Sequence, residues 1–337
     1  MTVITSVLRI TLKMIFPDFS LLTIPLNLTI VKSEPSVSTI NPGPMITFVT
    51  SLRHPEIATD YTRVEELFEL CARSVCSQSH NDIRFIVVCN QTPNIGLEDS
   101  RIQYIEVDFP IPQKMEEHPN PLAHYDLDKG LKLMVATWFS LKDSPDYLYI
   151  VDSDDWLDRR VASYADAHAG RAGFVVDRSY MVNLNRMTQK RRRGGASAFG
   201  STICPSLPTM LATFPELLRY KTQPSYQDMI EDFDSRKLIE LIGSHWLAHH
   251  WRTNGRAFER FPFFAASWVL DNGENSLGSW ERSSNCRSID QDFLAKHGLP
   301  TDAFPNVGDN GRYVQESLAY AKETGRWILR DLFSPAY

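Results

Sequence analysis

Three carboxylates fall within four residues in Asp152-Ser-Asp-Asp155, directly after the apolar run Tyr147-Leu-Tyr-Ile-Val151 and just before Trp156. Carboxylates this close repel one another and resist burial unless a cation compensates. Mg²⁺ and Mn²⁺ take carboxylate oxygens and complete their shells with water or phosphate oxygens. An apolar strand that ends in such a cluster therefore suits a metal–diphosphate site, with Asp152 or Asp154 holding the ion. The competing reading is structural: Asp154 or Asp155 caps a following helix that contains Val161 and Tyr164. Further along, His245 and His249 have the i, i+4 spacing that puts two imidazoles on one helical face, a metal-ligand geometry, although histidine beside tryptophan also serves ordinary packing. Lys190-Arg-Arg-Arg-Gly-Gly195 reads as a flexible basic run, either a mobile loop that clamps a diphosphate or an anionic acceptor, or a solvated loop. Tyr226-Gln-Asp-Met-Ile-Glu-Asp232 opens a helix whose acidic residues the helix dipole alone would favour.

The elements that must position these groups follow a βαβ pattern from Met45. Ile46–Thr50 is a β-branched run, and Val64, Leu67, Phe68, Cys71 and Val75 recur at helical spacing across 60–76. Ile83–Cys89 is nearly continuous apolar sequence, as expected of a strand buried on both faces beside a parallel neighbour. Ile102–Val107 is a third strand, 108–126 a long surface loop, Leu127–Leu141 a helix and Tyr147–Val151 a fourth strand. The fold class expected is α/β, with a mixed, mostly parallel sheet flanked by helices. In the second half, Phe174–Val176 and Ser179–Leu184 read as strands, and the helix opened at Tyr226 continues through Leu238, Ile239 and Leu241.

Composition excludes several classes. The chain has 337 residues, and Lys+Arg 35 against Asp+Glu 41 gives a formal charge of −6, the wrong sign for general nucleic-acid binding. Five scattered cysteines fit reduced thiols and a cytoplasmic setting rather than a disulfide framework. Residues 1–44 read as an extension, disordered or packed on the domain surface. Pro17, Asp18 and Pro25 interrupt its apolar stretch and make it a poor spanning helix, which leaves a peripheral membrane contact as the alternative. Residues 45–290 form the expected domain, divided into 45–180 and 181–290, and 291–337 is a helical tail.

The run Tyr147–Leu157 with its Asp-x-Asp resembles the corresponding segment of GT-A-fold, family-two-like glycosyltransferases, rhamnosyltransferase-like members among them. The helix start Asp128-Lys-Gly-Leu-Lys132 and the strand–loop–helix of Met45–Ser77 share in the likeness, which is close over about 45–180 and loose over 195–280. The resemblance implies a nucleotide-sugar half followed by an acceptor half, and transfer with inversion from a nucleotide-diphospho-sugar to a hydroxyl of a carbohydrate or lipid-linked acceptor. It implies Mn²⁺ or Mg²⁺ held by Asp152 and Asp154, with His249 as an additional ligand. It assigns donor contacts to Lys129, Asp152, Asp155 and Asn90; Asn90 lies in Cys89-Asn90-Gln91, where the family usually has an Asp. Asp228, with Asp232 as its rival, is the implied base, and Phe199-Gly-Ser-Thr-Ile-Cys204 the implied acceptor-side strand. Asp271-Asn-Gly-Glu-Asn-Ser276 resembles a late loop of the family, without its His. The alternatives are a HAD-like phosphohydrolase and a non-catalytic carbohydrate-binding protein.

Overall fold

A computed structural model of the chain describes residues 45–194, 199–243, 245–274 and 286–304. The extension over 1–44 and the tail helix expected over 313–332 lie outside the described residues. The first half is built from β1 (Ile46–Ser51), α1 (Tyr61–Cys76), β2 (Ile83–Cys89), β3 (Ile102–Glu106), α2 (Ala123–Ser140) and β4 (Tyr147–Ile150). β1 pairs in parallel with both β2 and β4, and β2 with β3, which gives the order β3-β2-β1-β4. Alternation along β1 serves both faces: Ile46 and Phe48 pack with Phe68, Cys71 and Val75 of α1, whereas Val49 packs with Leu131 and Val135 of α2. The connection through α1 carries the chain from β1 outward to β2, and the one through α2 carries it from β3 back past β1 to β4, so a crevice opens at the carboxyl ends of β1 and β4.

The chain continues through β5 (Trp156–Leu157), α3 (Val161–Ala167), β6 (Gly173–Val175), β7 (Arg178–Asn183), β8 (Thr188–Arg193) and β9 (Ile203–Pro205). Then follow α4 (Leu207–Thr213), α5 (Tyr226–Asp232), α6 (Ser235–Lys237) running into a π-helix (Leu238–Gly243), α7 (Leu247–Thr253), β10 (Glu259–Arg260), β11 (Ala266–Leu270), β12 (Arg287–Ser288) and α8 (Gln291–Lys296). Among the described residues, antiparallel β9 joins β6 and β10 to the first four strands in one mostly parallel sheet. A smaller sheet runs β12-β8-β7-β11-β5. The α/β architecture is the one expected. Among the described residues no helix is long and apolar enough to cross a membrane.

Three local expectations change. The basic run over 190–193 is strand β8, not a flexible loop: it pairs along its length with β7, and the Arg191 guanidinium lies 5.0 Å from the Phe264 ring, so long side chains pack their stems against aromatic surface. The helix opened at Tyr226 stops at Asp232, because Asp234 turns to accept from the Arg236 and Lys237 amides and caps a new helix. Neither Asp154 nor Asp155 caps α3; its N-cap is Arg160, and β5 intervenes.

One buried ion pair fixes α2 against the end of β1. Lys132, fully buried, donates to the Leu52 carbonyl at 3.0 Å and to Asp128 Oδ2 at 2.8 Å. Lys132→Met leaves the Asp128 carboxylate buried without its partner, and we expect a loss of about 3–5 kcal/mol in urea denaturation, partly restored by adding Asp128→Asn. Equal stability of Lys132→Met and the native chain would show that the pair does not hold this junction.

Candidate functional site

A cavity of about 400 Å³ sits at the carboxyl ends of β1 and β4. Ser51, Leu52 and Arg53 enter it from β1, Val64 and Leu67 from α1, Asp126, Asp128 and Lys129 from α2, and Asp152, Ser153 and Asp154 from the end of β4. Phe199, Gly243, His245, Trp268, Leu270 and Glu274 close the remaining side. These groups come from segments far apart in sequence, and the parallel strand ends bring them together.

The acidic segment is tied down residue by residue. Asp152 Oδ1 is 2.5 Å from Lys129 Nζ, and its Oδ2 accepts from the Gly200 amide at 3.0 Å. A side chain at Gly200 would collide with this carboxylate, its Cβ falling 2.0 Å from Oδ1. The glycine thus permits close approach to Asp152. Asp155 is fully buried: Oδ2 accepts from Ser201 Oγ at 2.6 Å and Oδ1 from the Val269 amide at 3.0 Å. It straps the acidic loop to the turn before β9 and to β11. Asp154 Oδ2 accepts from Asn272 Nδ2 at 2.8 Å, and Asn272 Oδ1 in turn accepts the Glu274 amide at 2.9 Å. Glu274 takes Arg53 Nη1 at 2.9 Å and the Asp60 amide at 2.8 Å, joining this loop to the start of α1.

The three acids consequently differ in how readily they ionise. Burial disfavours ionisation of Asp152, but the Lys129 ammonium, His245 and the Gly200 N–H outweigh it and hold the carboxyl below its usual range. Burial and then the Asp152 charge push Asp154 up to about 6, against the pull of Asn272 and Lys129. Burial, Asp154 and Asp152 drive Asp155 well above the carboxylate range. His245 is pushed down to about 3 by burial and by Lys129, so its imidazole is neutral. Carboxylate oxygens of the kind Asp152 and Asp154 bring to the cavity are the donors a hard cation takes. Among the described residues no group of three or more His, Cys, Asp or Glu side chains converges to hold a metal by itself. A cation held here would take the rest of its shell from substrate and water oxygens, as is common for Mg²⁺.

Of the residues singled out from sequence, Asp152, Asp154 and Lys129 line the cavity together. Asp155 stands just behind them, with both oxygens engaged inside the fold. Asn90 lies at the end of β2, its amide donating to the Val107 and Phe109 carbonyls at 3.2 and 2.8 Å. Asp228 and Asp232 lie on α5 and are not among the cavity-lining residues. Asp228 closes a capping box with Ser225, whose hydroxyl and amide lower its pKa, and Asp232 accepts from Tyr220 Oη at 2.8 Å. His249 does not line the cavity either; its Nδ1 is 3.0 Å from Arg252 Nη2. The i, i+4 face with His245 does not form, because His245 precedes α7 and has φ 65°. Arg53, Asn272 and Glu274 were not assigned roles from sequence. Only the Asp271–Ser276 likeness pointed toward two of them, and its residues beyond Glu274 lie outside the described set.

No protein-family model matches the chain, and neither does any curated protein sequence. Among solved structures it is similar to S. aureus TarS 1-349, at 11% identity, over 66% of this chain and 60% of that one, with a TM-score of 0.35. It is also similar to 4-diphosphocytidyl-2C-methyl-D-erythritol synthase from Anaerococcus prevotii, at 8% identity, over 78% of this chain and 98% of that one, with a TM-score of 0.32. The chain thus spans 60% of the TarS structure's length.

A carboxyl held above its unfolded pKa favours the folded state while protonated, and that contribution is lost as pH rises from 3.8 through about 6. We expect Asp154→Asn to match the native protein near pH 4 and to exceed it by up to about 3 kcal/mol at pH 7.5 in urea denaturation. Parallel stability curves for the two proteins would contradict this electrostatic assignment.

Proposed function

We propose that the chain is a metal-dependent glycosyltransferase that moves a sugar from a nucleotide-diphospho-sugar to an acceptor hydroxyl with inversion. The observation that carries this reading is the convergence of Asp152, Asp154 and Lys129 in one cavity at the carboxyl ends of β1 and β4. Open α/β sheets bind ligands at such strand ends, and the pairing of carboxylates with an ammonium suits a diphosphate held through a cation. The sequence likeness of 147–157 to family-two-like enzymes points the same way.

In this reading Asp154 holds Mn²⁺ or Mg²⁺, with Asp152 and the neutral His245 beside it; His245 takes the place that sequence spacing gave to His249. A bound cation would stabilise the negative charge of the departing diphosphate. Lys129 supplies a second positive charge, and Asp152 fixes its ammonium at the cavity wall. Asp155 acts behind the site, keeping the acidic loop in place through Ser201 and Val269. Because Asp228 and Asp232 lie outside the cavity, the proton-accepting role passes to a carboxylate that lines it. Asp128 is our choice, since burial raises its pKa against the pull of Lys132, the direction a base working near neutral pH needs.

Isothermal titration of UDP, GDP and dTDP with and without Mn²⁺ tests the assignment. We expect binding of at least one nucleotide only with the metal, lost in Asp154→Asn and weakened by about tenfold or more in Lys129→Met. Nucleotide binding that ignores Mn²⁺, or that survives Asp154→Asn unchanged, would contradict the reading.

A further inference from the structure

Strand β8 carries four consecutive cations, Lys190 to Arg193, in a chain of net charge −6. Strand alternation divides them between two faces. Arg191 is in register with Tyr180, a core residue packed with Phe293, and Arg193 shares that face. Lys190 and Arg192 project from the opposite one. There Lys190 stands beside Met181, and Met181 beside Trp268, in a row that crosses β8, β7 and β11. The Arg192 guanidinium lies 5.5 Å from the centre of the Trp268 ring. Phe199 is stacked parallel to that ring, with centroids 5.6 Å apart. Trp268 and Phe199 both line the cavity described above, so the row meets it at Trp268; Met181, Lys190 and Arg192 are not among its lining residues.

Two features mark this face as a place for a ligand. Met181 and Trp268 are half-buried on this face, whereas their strand neighbours Tyr180, Val182 and Val269, on the other, are buried in the core. Among the described residues, no carboxylate forms an ion pair with Lys190 or Arg192. Cations gathered on an aromatic floor without acidic partners complement an anion that also presents an apolar sugar face. In the proposed reading the donor diphosphate has its own cation in Lys129, which is paired with Asp152. Asn272, the partner of Asp154, is four positions after Trp268, a span of at most about 13 Å along an extended chain. The row and the acidic segment are therefore close enough to serve two reactants that meet.

We infer that the Trp268–Met181–Lys190 row with Arg192 is the acceptor subsite, and that the acceptor is a glycan bearing anionic groups, phosphate or carboxylate. This rests on the glycosyltransferase reading for the word acceptor, while the binding itself can be measured without it. Lys190 and Arg192 would hold the anionic groups, and the part of the Met181 and Trp268 side chains left open between them would meet the apolar side of a sugar.

The test is isothermal titration of the full chain with three probes: oligogalacturonate, its neutral methyl ester and an oligo(glycerol phosphate). UDP with Mn²⁺ is titrated in parallel, and the exposed Arg236→Gln variant controls for loss of charge alone. We expect at least one anionic probe to bind and the neutral ester not to, with the two anionic arms distinguishing carboxylate from phosphate. Lys190→Gln/Arg192→Gln should weaken that binding by about tenfold or more, with Arg236→Gln and nucleotide affinity unchanged. Circular dichroism checks that the double variant is folded, and Arg192→Lys, which keeps the charge, should retain most of the affinity. Equal binding of charged and neutral probes, no binding of either anion, or undiminished binding by the double variant would overturn the inference. So would a parallel loss of nucleotide affinity, which would give the cations to the donor. Selective binding of an anionic probe by a protein that binds no nucleotide would uphold the anionic-glycan site and overturn the transferase reading.

Discussion

Three carboxylates at the end of one buried strand would push their loop apart unless each met a different environment. Asp152 is paired with Lys129, Asp155 is held in the interior between Ser201 and Val269, where burial and its acidic neighbours push its pKa well up, and Asp154 is left between the two. Separating neighbouring acids in this way lets a run of like charges occupy a cavity wall. The cost falls on Asp154, whose pKa is pushed up to about 6 by burial and the Asp152 charge. In the proposed reading, a cation that arrives with an anionic ligand would offset that cost.

The surrounding fold serves that separation. Lys129 reaches Asp152 because α2 is clamped to the end of β1 by buried Lys132, and because Gly243 lets the π-helix approach Asp126 on α2. A Cβ at Gly243 would fall 2.4 Å from the Asp126 Cβ. On the other side, the turn through Gly200 and Ser201 delivers an amide and a hydroxyl to the acidic segment, and β11 delivers the Val269 amide. The main sheet, the smaller sheet and α2 thus meet at Asp152–Asp155, and the chemistry of the cavity follows from their register.

Much of the first half was readable from local pattern. A strand buried on both faces shows as an unbroken apolar run, and a packed helix as a three- and four-residue period, so Ile83–Cys89 and 60–76 needed no tertiary knowledge. The acidic cluster was conspicuous because charges at the end of such a strand conflict with burial. What could not be read depended on contacts across long separations or on one backbone angle. Asp152 meets Gly200 and Asp154 meets Asn272 across 48 and 118 residues. The pairing of His245 with His249 presumed a helix that begins only at Leu247, and the composition of 190–193 hid a strand whose arginine stems pack on aromatic rings. Asp228 and Asp232 illustrate a different limit, since local sequence does not tell whether an acid in a short capped helix lines a cavity, and these two do not line this one.

The central claim is that Asp154 awaits a cation brought with a nucleotide diphosphate. Crystals soaked with UDP and Mn²⁺, and measured at a wavelength where manganese scatters anomalously, test it most directly. The account predicts one anomalous peak in contact with the Asp154 carboxylate and the diphosphate, absent when Mn²⁺ is soaked without a nucleotide. A diphosphate bound with no peak at Asp154, or a peak at a site remote from Asp152 and Asp154, would contradict it.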